Sequence, residues 1–142
     1  MKRKLYIAYG SNINIPQMER RCPRAMVIGT SELKNYELVF KGVATIEKKR
    51  ESVVPIVVWG ITPSDEKALD RYEGFPHLYI KENIDIELNG QTVTGMAYVM
   101  TDCRGYGAPS PSYLQTIADG YDSFGFDTDK LLKAAVNSAV RK

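Results

Sequence analysis

The chain is expected to fold as α+β, and three features of its sequence carry that expectation. Segments rich in β-branched and aromatic residues follow one another across short polar breaks. Helical segments are inserted among them and do not alternate strictly with them. Asn89-Gly90 divides two alternating runs as a two-residue hairpin turn would. A doubly wound parallel sheet, which needs regular strand-helix alternation, is thereby disfavoured.

Leu5-Tyr6-Ile7-Ala8-Tyr9 forms the first expected strand, ended by Gly10, whose missing Cβ permits a turn with positive φ. Asn14 caps a short helix with Pro16 and Gln17 in its first turn, and Pro23 ends it just past Cys22. Met26 to Leu33 and Tyr36 to Phe40 read as strands joined tightly through Lys34-Asn35. Val43 to Ile46 reads as another, and polar Glu47 to Ser52 as a loop. Pro55 to Ile61 is continuously apolar, as a strand buried on both faces would be, which puts Trp59 in the core. Thr62 then caps a helix with Pro63 in its first position and Asp65 completing a capping box. Ala68, Leu69 and Tyr72 share one face, and Gly74 is the stop.

Tyr79 to Leu88 and Thr92 to Met100 flank the Asn89-Gly90 turn as an antiparallel hairpin. From Thr101 to Pro111 the composition shifts to Gly, Pro and Ser over a length that suits a mobile lid or rim. Ser110 and Pro111 open a helix reaching about Gly120, with Tyr113 in its first turn. A last helix from roughly Thr128 to Val140 carries Leu131, Leu132, Ala135, Val136 and Ala139 as an apolar stripe for the core. These segments make about six or seven strands and about four helices. No internal repeat is present.

At 142 residues the chain is expected to be a single domain spanning 1–142, since two halves would each be too small for a comfortable core. Hydrophobic residues at 44% and charged residues at 25% exclude a disordered or membrane-embedded chain. The net charge of +2 comes from scattered residues, and the one basic run, Lys48-Lys49-Arg50, is flanked by Glu47 and Glu51 and lacks interleaved aromatics, so no nucleic-acid partner is expected. The apolar stretch after Met1-Lys2-Arg3-Lys4 is too short for a secretory leader, and a cytoplasmic location without a membrane partner is expected. Cys22 and Cys103 lie far apart and share the chain with one histidine, His77. That pattern points to reduced thiols, with neither a metal site nor a disulfide framework. His77, beside Pro76 in a loop, reads as an exposed or hydrogen-bonded side chain before an acid/base.

Two short segments carry chemistry. Tyr9-Gly10-Ser11-Asn12 closes the first strand, and a turn of this kind can aim successive backbone N–H groups into one concavity that suits a carboxylate or a developing oxyanion. Glu73 stands in the last turn of its helix, one residue before Gly74, where the negative end of the helix dipole disfavours an anion. An acidic residue at that position breaks a local rule, and such breaks concentrate at functional sites.

Together, Tyr6-Ile7-Ala8-Tyr9-Gly10-Ser11-Asn12, Gly42-Val43-Ala44-Thr45-Ile46, Val58-Trp59-Gly60-Ile61, Leu69-Asp70-Arg71-Tyr72-Glu73-Gly74 and Pro109-Ser110-Pro111-Ser112-Tyr113 resemble, in sequence and in order, the gamma-glutamylcyclotransferase family. The resemblance runs from about Leu5 to about Gly125 and leaves out only the last helix. It departs at Ile13, where many relatives carry Leu or Met, and at Arg71-Tyr72, where the pattern is loose.

The resemblance implies a mixed, partly barrel-like sheet with peripheral helices. It also implies a Tyr-Gly-Ser-Asn loop binding the glutamyl moiety, Glu73 as acid/base, and no metal or organic cofactor. Tyr9, Tyr79 and Tyr113 are expected to line the pocket, Tyr113 foremost because it matches the family's Pro-Ser-Pro-x-Tyr block. The implied reaction is intramolecular: the substrate's α-amine attacks its γ-amide carbonyl, forming 5-oxoproline and releasing an amine or amino acid. The expected partner is a small γ-glutamyl compound, and the expected assembly a monomer or homodimer. A non-catalytic binding domain of the same fold is the alternative, with a nucleic-acid-binding small barrel further behind.

Overall fold

The structure is a computed structural model that describes residues 3–141; Met1 and Lys2, part of the basic start weighed above as a leader, lie outside the described residues. In chain order it comprises β1 (Lys4–Ala8), a 3-10 turn (Ser11–Ile13), α1 (Ile15–Arg21), β2 (Met26–Lys41), β3 (Val43–Ile61), α2 (Pro63–Glu73), β4 (Tyr79–Leu88), β5 (Gln91–Met100), α3 (Pro111–Phe124) and α4 (Thr128–Val140). The α+β expectation holds, with one mixed sheet in the order β2-β3-β1-β5-β4. β1 sits at its centre, antiparallel to β3 (Tyr6↔Trp59) and parallel to β5 (Tyr6↔Met96). Tyr6, Ile7 and Ala8 are all buried, so both faces of β1 are covered, as a central strand requires. The turn that follows β1 therefore emerges from the middle of the sheet.

The strand count is five, not six or seven, because polar residues read as connections are strand. Met26 to Leu33 and Tyr36 to Phe40 are one strand. Val43 to Ile46, Glu47 to Ser52 and Pro55 to Ile61 are likewise continuous, so that β2 and β3 form one long hairpin turning at Gly42. Pairing steps from Lys34↔Val53 to Tyr36↔Lys48, which leaves residues 49–52 opposite Asn35 in a bulge. Asn35 and Glu51 take positive φ values of 66° and 65°, and the Asn35 side-chain oxygen accepts from Glu51 N at 3.0 Å. Charged residues such as Lys48 and Arg50 mimic a loop in composition, yet their backbone belongs to a solvated hairpin arm.

The sheet is also not closed into a barrel. Its edge strands approach where Ser31 Oγ donates to the Glu87 carbonyl, but β2 and β4 form no backbone ladder.

Helix α3 continues to Phe124, past the expected end at Gly120, and stops at Gly125 with φ 70°. Gly120 is there for space: a Cβ on it would lie 2.7 Å from Ile13 Cγ2 and 3.0 Å from Asn14 N. Helix α4 has the expected bounds but not the expected stripe. Leu131 and Ala135 are buried, while Leu132, Val136 and Ala139 face outward and Ser138 turns in, its Oγ accepting from Phe40 N at 2.8 Å. Neighbouring helical positions lie about 100° apart, so Leu131 and Leu132, or Ala135 and Val136, cannot both point to one core.

The Gly- and Pro-rich segment before α3, expected to be mobile, is tied down. Gly42 N donates to Gly107 O at 3.2 Å, Gly107 N to Phe40 O at 3.0 Å, and Tyr106 Oη to Glu47 at 2.6 Å. Trp59 is buried as expected. Cys22 is buried, Cys103 exposed, and both are unpaired. Among the described residues no helix is long and apolar enough to cross a membrane.

Candidate active site

The C-terminal end of β1 delivers Tyr9, Gly10, Ser11 and Asn12 to the floor of a cavity of about 240 Å3. Gly10 has φ −118°, so the positive φ expected of it is absent; the backbone instead passes close to β3, where a Cβ would stand a tight 3.2 Å from Ala44 Cβ. The carbonyls of Gly10 and Ser11 accept from Ile13 N and Asn14 N at 3.1 Å each. The amides of Ser11 and Asn12 begin the 3-10 turn, where no earlier turn supplies an acceptor.

Asn12 is held from three sides. Its Nδ2 donates to Tyr6 Oη at 2.9 Å, its Oδ1 accepts from Arg21, and its carbonyl accepts from Trp59 Nε1 at 3.0 Å. The side chain of Asn12 is thus committed to the protein.

Glu73 reaches the same cavity from the end of α2. That helix starts with the expected capping box, Asp65 N donating to Thr62 Oγ1 at 3.2 Å and Thr62 N to Asp65 Oδ2 at 3.0 Å. It ends at Gly74, φ 65°, where Phe75 N returns to Asp70 O at 2.9 Å. No hydrogen-bond donor among the described residues satisfies the Glu73 carboxylate. Burial pushes its carboxyl up to about 7, and the nearby Arg21 guanidinium opposes that rise.

Tyrosines wall the cavity and fix one another through the backbone. Tyr79 Oη donates to the Ala44 carbonyl at 2.5 Å, and Tyr113 Oη accepts from Ala44 N at 3.1 Å, so one peptide unit of β3 is held by two phenols. Tyr113 makes its bond as an acceptor, whereas Tyr79 has committed its proton to the protein. Tyr9 has done the same, its Oη donating to Tyr98 O at 2.5 Å. Burial raises Tyr9, Tyr79 and Tyr113 above the ordinary phenol range, which keeps them neutral donors and acceptors.

All seven residues singled out from the sequence, Tyr9, Gly10, Ser11, Asn12, Glu73, Tyr79 and Tyr113, line this one cavity. The sequence reading did not anticipate the participation of Tyr6, Tyr98, Tyr72 and Arg21. Tyr72, expected to share a face of α2 with Ala68 and Leu69, is 43% exposed and lines the cavity, its hydroxyl sharing a 2.9 Å hydrogen bond with Ser11 Oγ. Tyr6 and Tyr98 read as alternating strand residues, and nothing in their spacing separates a cavity wall from core. His77 is exposed. Among the described residues no three His, Cys, Asp or Glu side chains are grouped to hold a metal ion.

An α+β fold that gathers one carboxylate and several tyrosines around a small-molecule-sized cavity has the make-up of a small-molecule-binding protein. The chain belongs to the gamma-glutamyl cyclotransferase, AIG2-like family, whose model matches residues 6–120. It is 30% identical over 130 residues to a gamma-glutamylcyclotransferase of Mus musculus and 29% identical over 130 residues to that of Bos taurus. Each match spans 82% of this chain and 69% of the relative. A solved gamma-glutamyl cyclotransferase superposes with a TM-score of 0.83 at 26% identity, covering 94% of this chain and 86% of that one. YkqA of Bacillus subtilis, at 18% identity, shares the fold with a TM-score of 0.79 over 97% of this chain and 55% of its own. At the level of the family, the chain is a cyclotransferase enzyme.

Proposed function

We propose that the chain, acting as one domain over residues 1–142, cyclises a γ-glutamyl amide to 5-oxoproline and releases an amine or amino acid, with Glu73 as general base and then general acid. The substrate's α-nitrogen attacks its own γ-carbonyl carbon, a C–N bond forms in the five-membered ring, and the C–N bond to the leaving group breaks. Glu73 takes the proton that the attacking nitrogen loses and gives it to the departing nitrogen, so the carboxylate is regenerated. A base titrating near neutral pH suits both transfers, since its two protonation states are comparably populated there.

The observation that carries this reading is the placement of Glu73. It is the one carboxylate among the described residues lining the cavity, it is pushed up to about 7 by burial, and it shares that cavity with Ser11 and Asn12. Their backbone amides would hold the glutamyl carboxylate or the tetrahedral oxyanion, with the Tyr113 hydroxyl as a further donor. Most of the acceleration would come from folding a flexible substrate so that its nitrogen meets its carbonyl.

The test is a panel of γ-glutamyl amino acids and amines assayed for 5-oxoproline with the wild type and Glu73→Gln. Turnover of at least one compound by the wild type, and its loss in the variant with binding retained, is the expected result. Binding without turnover in the wild type would establish the non-catalytic alternative.

A further inference from the structure

The Tyr9-Gly10-Ser11-Asn12 turn and the end of α2 come from distant parts of the chain, and one direct hydrogen bond joins them, between Ser11 Oγ and Tyr72 Oη at 2.9 Å. A second link runs through Arg21, the last residue of α1. One guanidinium nitrogen donates to Asn12 Oδ1, and the guanidinium carbon lies 3.3 Å from the centroid of the Tyr72 ring. A single side chain therefore grips a residue of the turn and the residue next to Glu73. Only a planar, delocalised cation can present an in-plane donor to Asn12 and a flat face to Tyr72 together.

Charge bears on the same residue. The groups around Glu73 are Tyr6 of β1, Tyr9 just beyond it, Tyr79 of β4, Tyr98 of β5 with its hydroxyl on Asp70, Tyr113 of α3, and Tyr72 of its own helix. Phenols are neutral near pH 7. Arg21 of α1, stacked on Tyr72, draws the Glu73 carboxyl down against the upward push of burial.

We propose that Arg21 is a positioning residue for the cyclotransferase reaction: by bridging Asn12 and Tyr72 it sets the separation of the amide turn from Glu73, and it supplies the positive charge beside which the Glu73 carboxylate forms. This rests on the acid/base reading of Glu73 given above.

Arg21→Met and Arg21→Lys, each checked for native circular dichroism and cooperative unfolding, are assayed beside Glu73→Gln for 5-oxoproline release across about pH 5 to 10. In Arg21→Met, kcat is expected to fall about tenfold or more as the reacting groups lose alignment. The acid limb of kcat/KM is expected to move up by roughly half to one pH unit as the neighbouring cation is lost. Arg21→Lys keeps the charge without the fork, so its limb stays in place while kcat still falls. An unmoved limb in Arg21→Met overturns the proposal even if kcat drops, because any distortion could slow the reaction. Should that variant not fold, wild-type kcat in Arg21→Lys overturns it. Turnover by Glu73→Gln would instead remove the acid/base reading itself, whereas an inactive Glu73→Gln beside wild-type Arg21 variants removes only the Arg21 inference.

Discussion

Tyr113 accepts the backbone N–H of Ala44 at 3.1 Å, which ties the first turn of α3 to β3 in the wall of the cavity. Tyr113→Phe leaves that amide without its partner and removes a wall phenol that meets the backbone as an acceptor. Leaving a buried donor unsatisfied costs about 1–3 kcal/mol. The variant is expected to unfold at lower urea and to lose about tenfold or more in kcat/KM, as equilibrium unfolding and steady-state kinetics would report.

The raised carboxyl of Glu73 makes stability depend on pH in a defined direction. In the unfolded chain the group titrates at its ordinary value of 4.5, and in the folded one at about 7. Between these values the folded state holds the extra proton, so stability falls as pH rises through that window and stays low above it. Glu73→Gln removes this loss. The variant is expected to be more stable than the wild type at pH 8, by about 1–3 kcal/mol, and to match it near pH 4. Urea titrations at the two pH values check the prediction, and a variant less stable at pH 8 contradicts it.

Gly120→Ala tests the contact between α3 and the turn. Alanine gains about 1 kcal/mol of helix propensity over glycine. A Cβ there, however, would stand 2.7 Å from Ile13 Cγ2 and 3.0 Å from Asn14 N. Overpacking against backbone costs about 1–3 kcal/mol, so a net loss of stability is expected, with KM rising as the turn shifts. A higher melting temperature would show that the space is not needed.

Thr62→Ala should act on stability alone. It deletes the acceptor of the α2 capping box, worth about 1 kcal/mol, at the opposite end of the helix from Glu73. A lower denaturant midpoint with unchanged kcat is expected; a large fall in kcat would mean that the start of α2 influences its end.

Helix ends and tight turns were legible in the sequence because their chemistry is local. Thr62 with Asp65, Asn14, Ser110, Gly74 and the Asn89-Gly90 turn each act within a few residues, and each stands where it was expected. The β2–β3 hairpin was not legible. Its pairing joins residues whose polar character says loop, and the bulge at Asn35 and Glu51 is stabilised by a bond between the strands. Gly10 was read for its freedom of φ, yet its φ is negative and its lack of bulk matters against Ala44, which arrives from far along the chain. The co-location of Glu73 with the turn was inferred from family resemblance. The part of Arg21 could not be, since an arginine closing a short helix is ordinary until its neighbours are in place.

The central position of β1 carries a consequence for how the molecule is made. The strand is synthesised before both of its hydrogen-bonding neighbours, Trp59 on one side and Met96 on the other. Pairings so remote in the chain close slowly, because loop entropy is lost before they are formed. The amide turn hangs from the end of that strand, so the nascent protein carries its earliest-made site residues without a place to put them until β5 has left the ribosome.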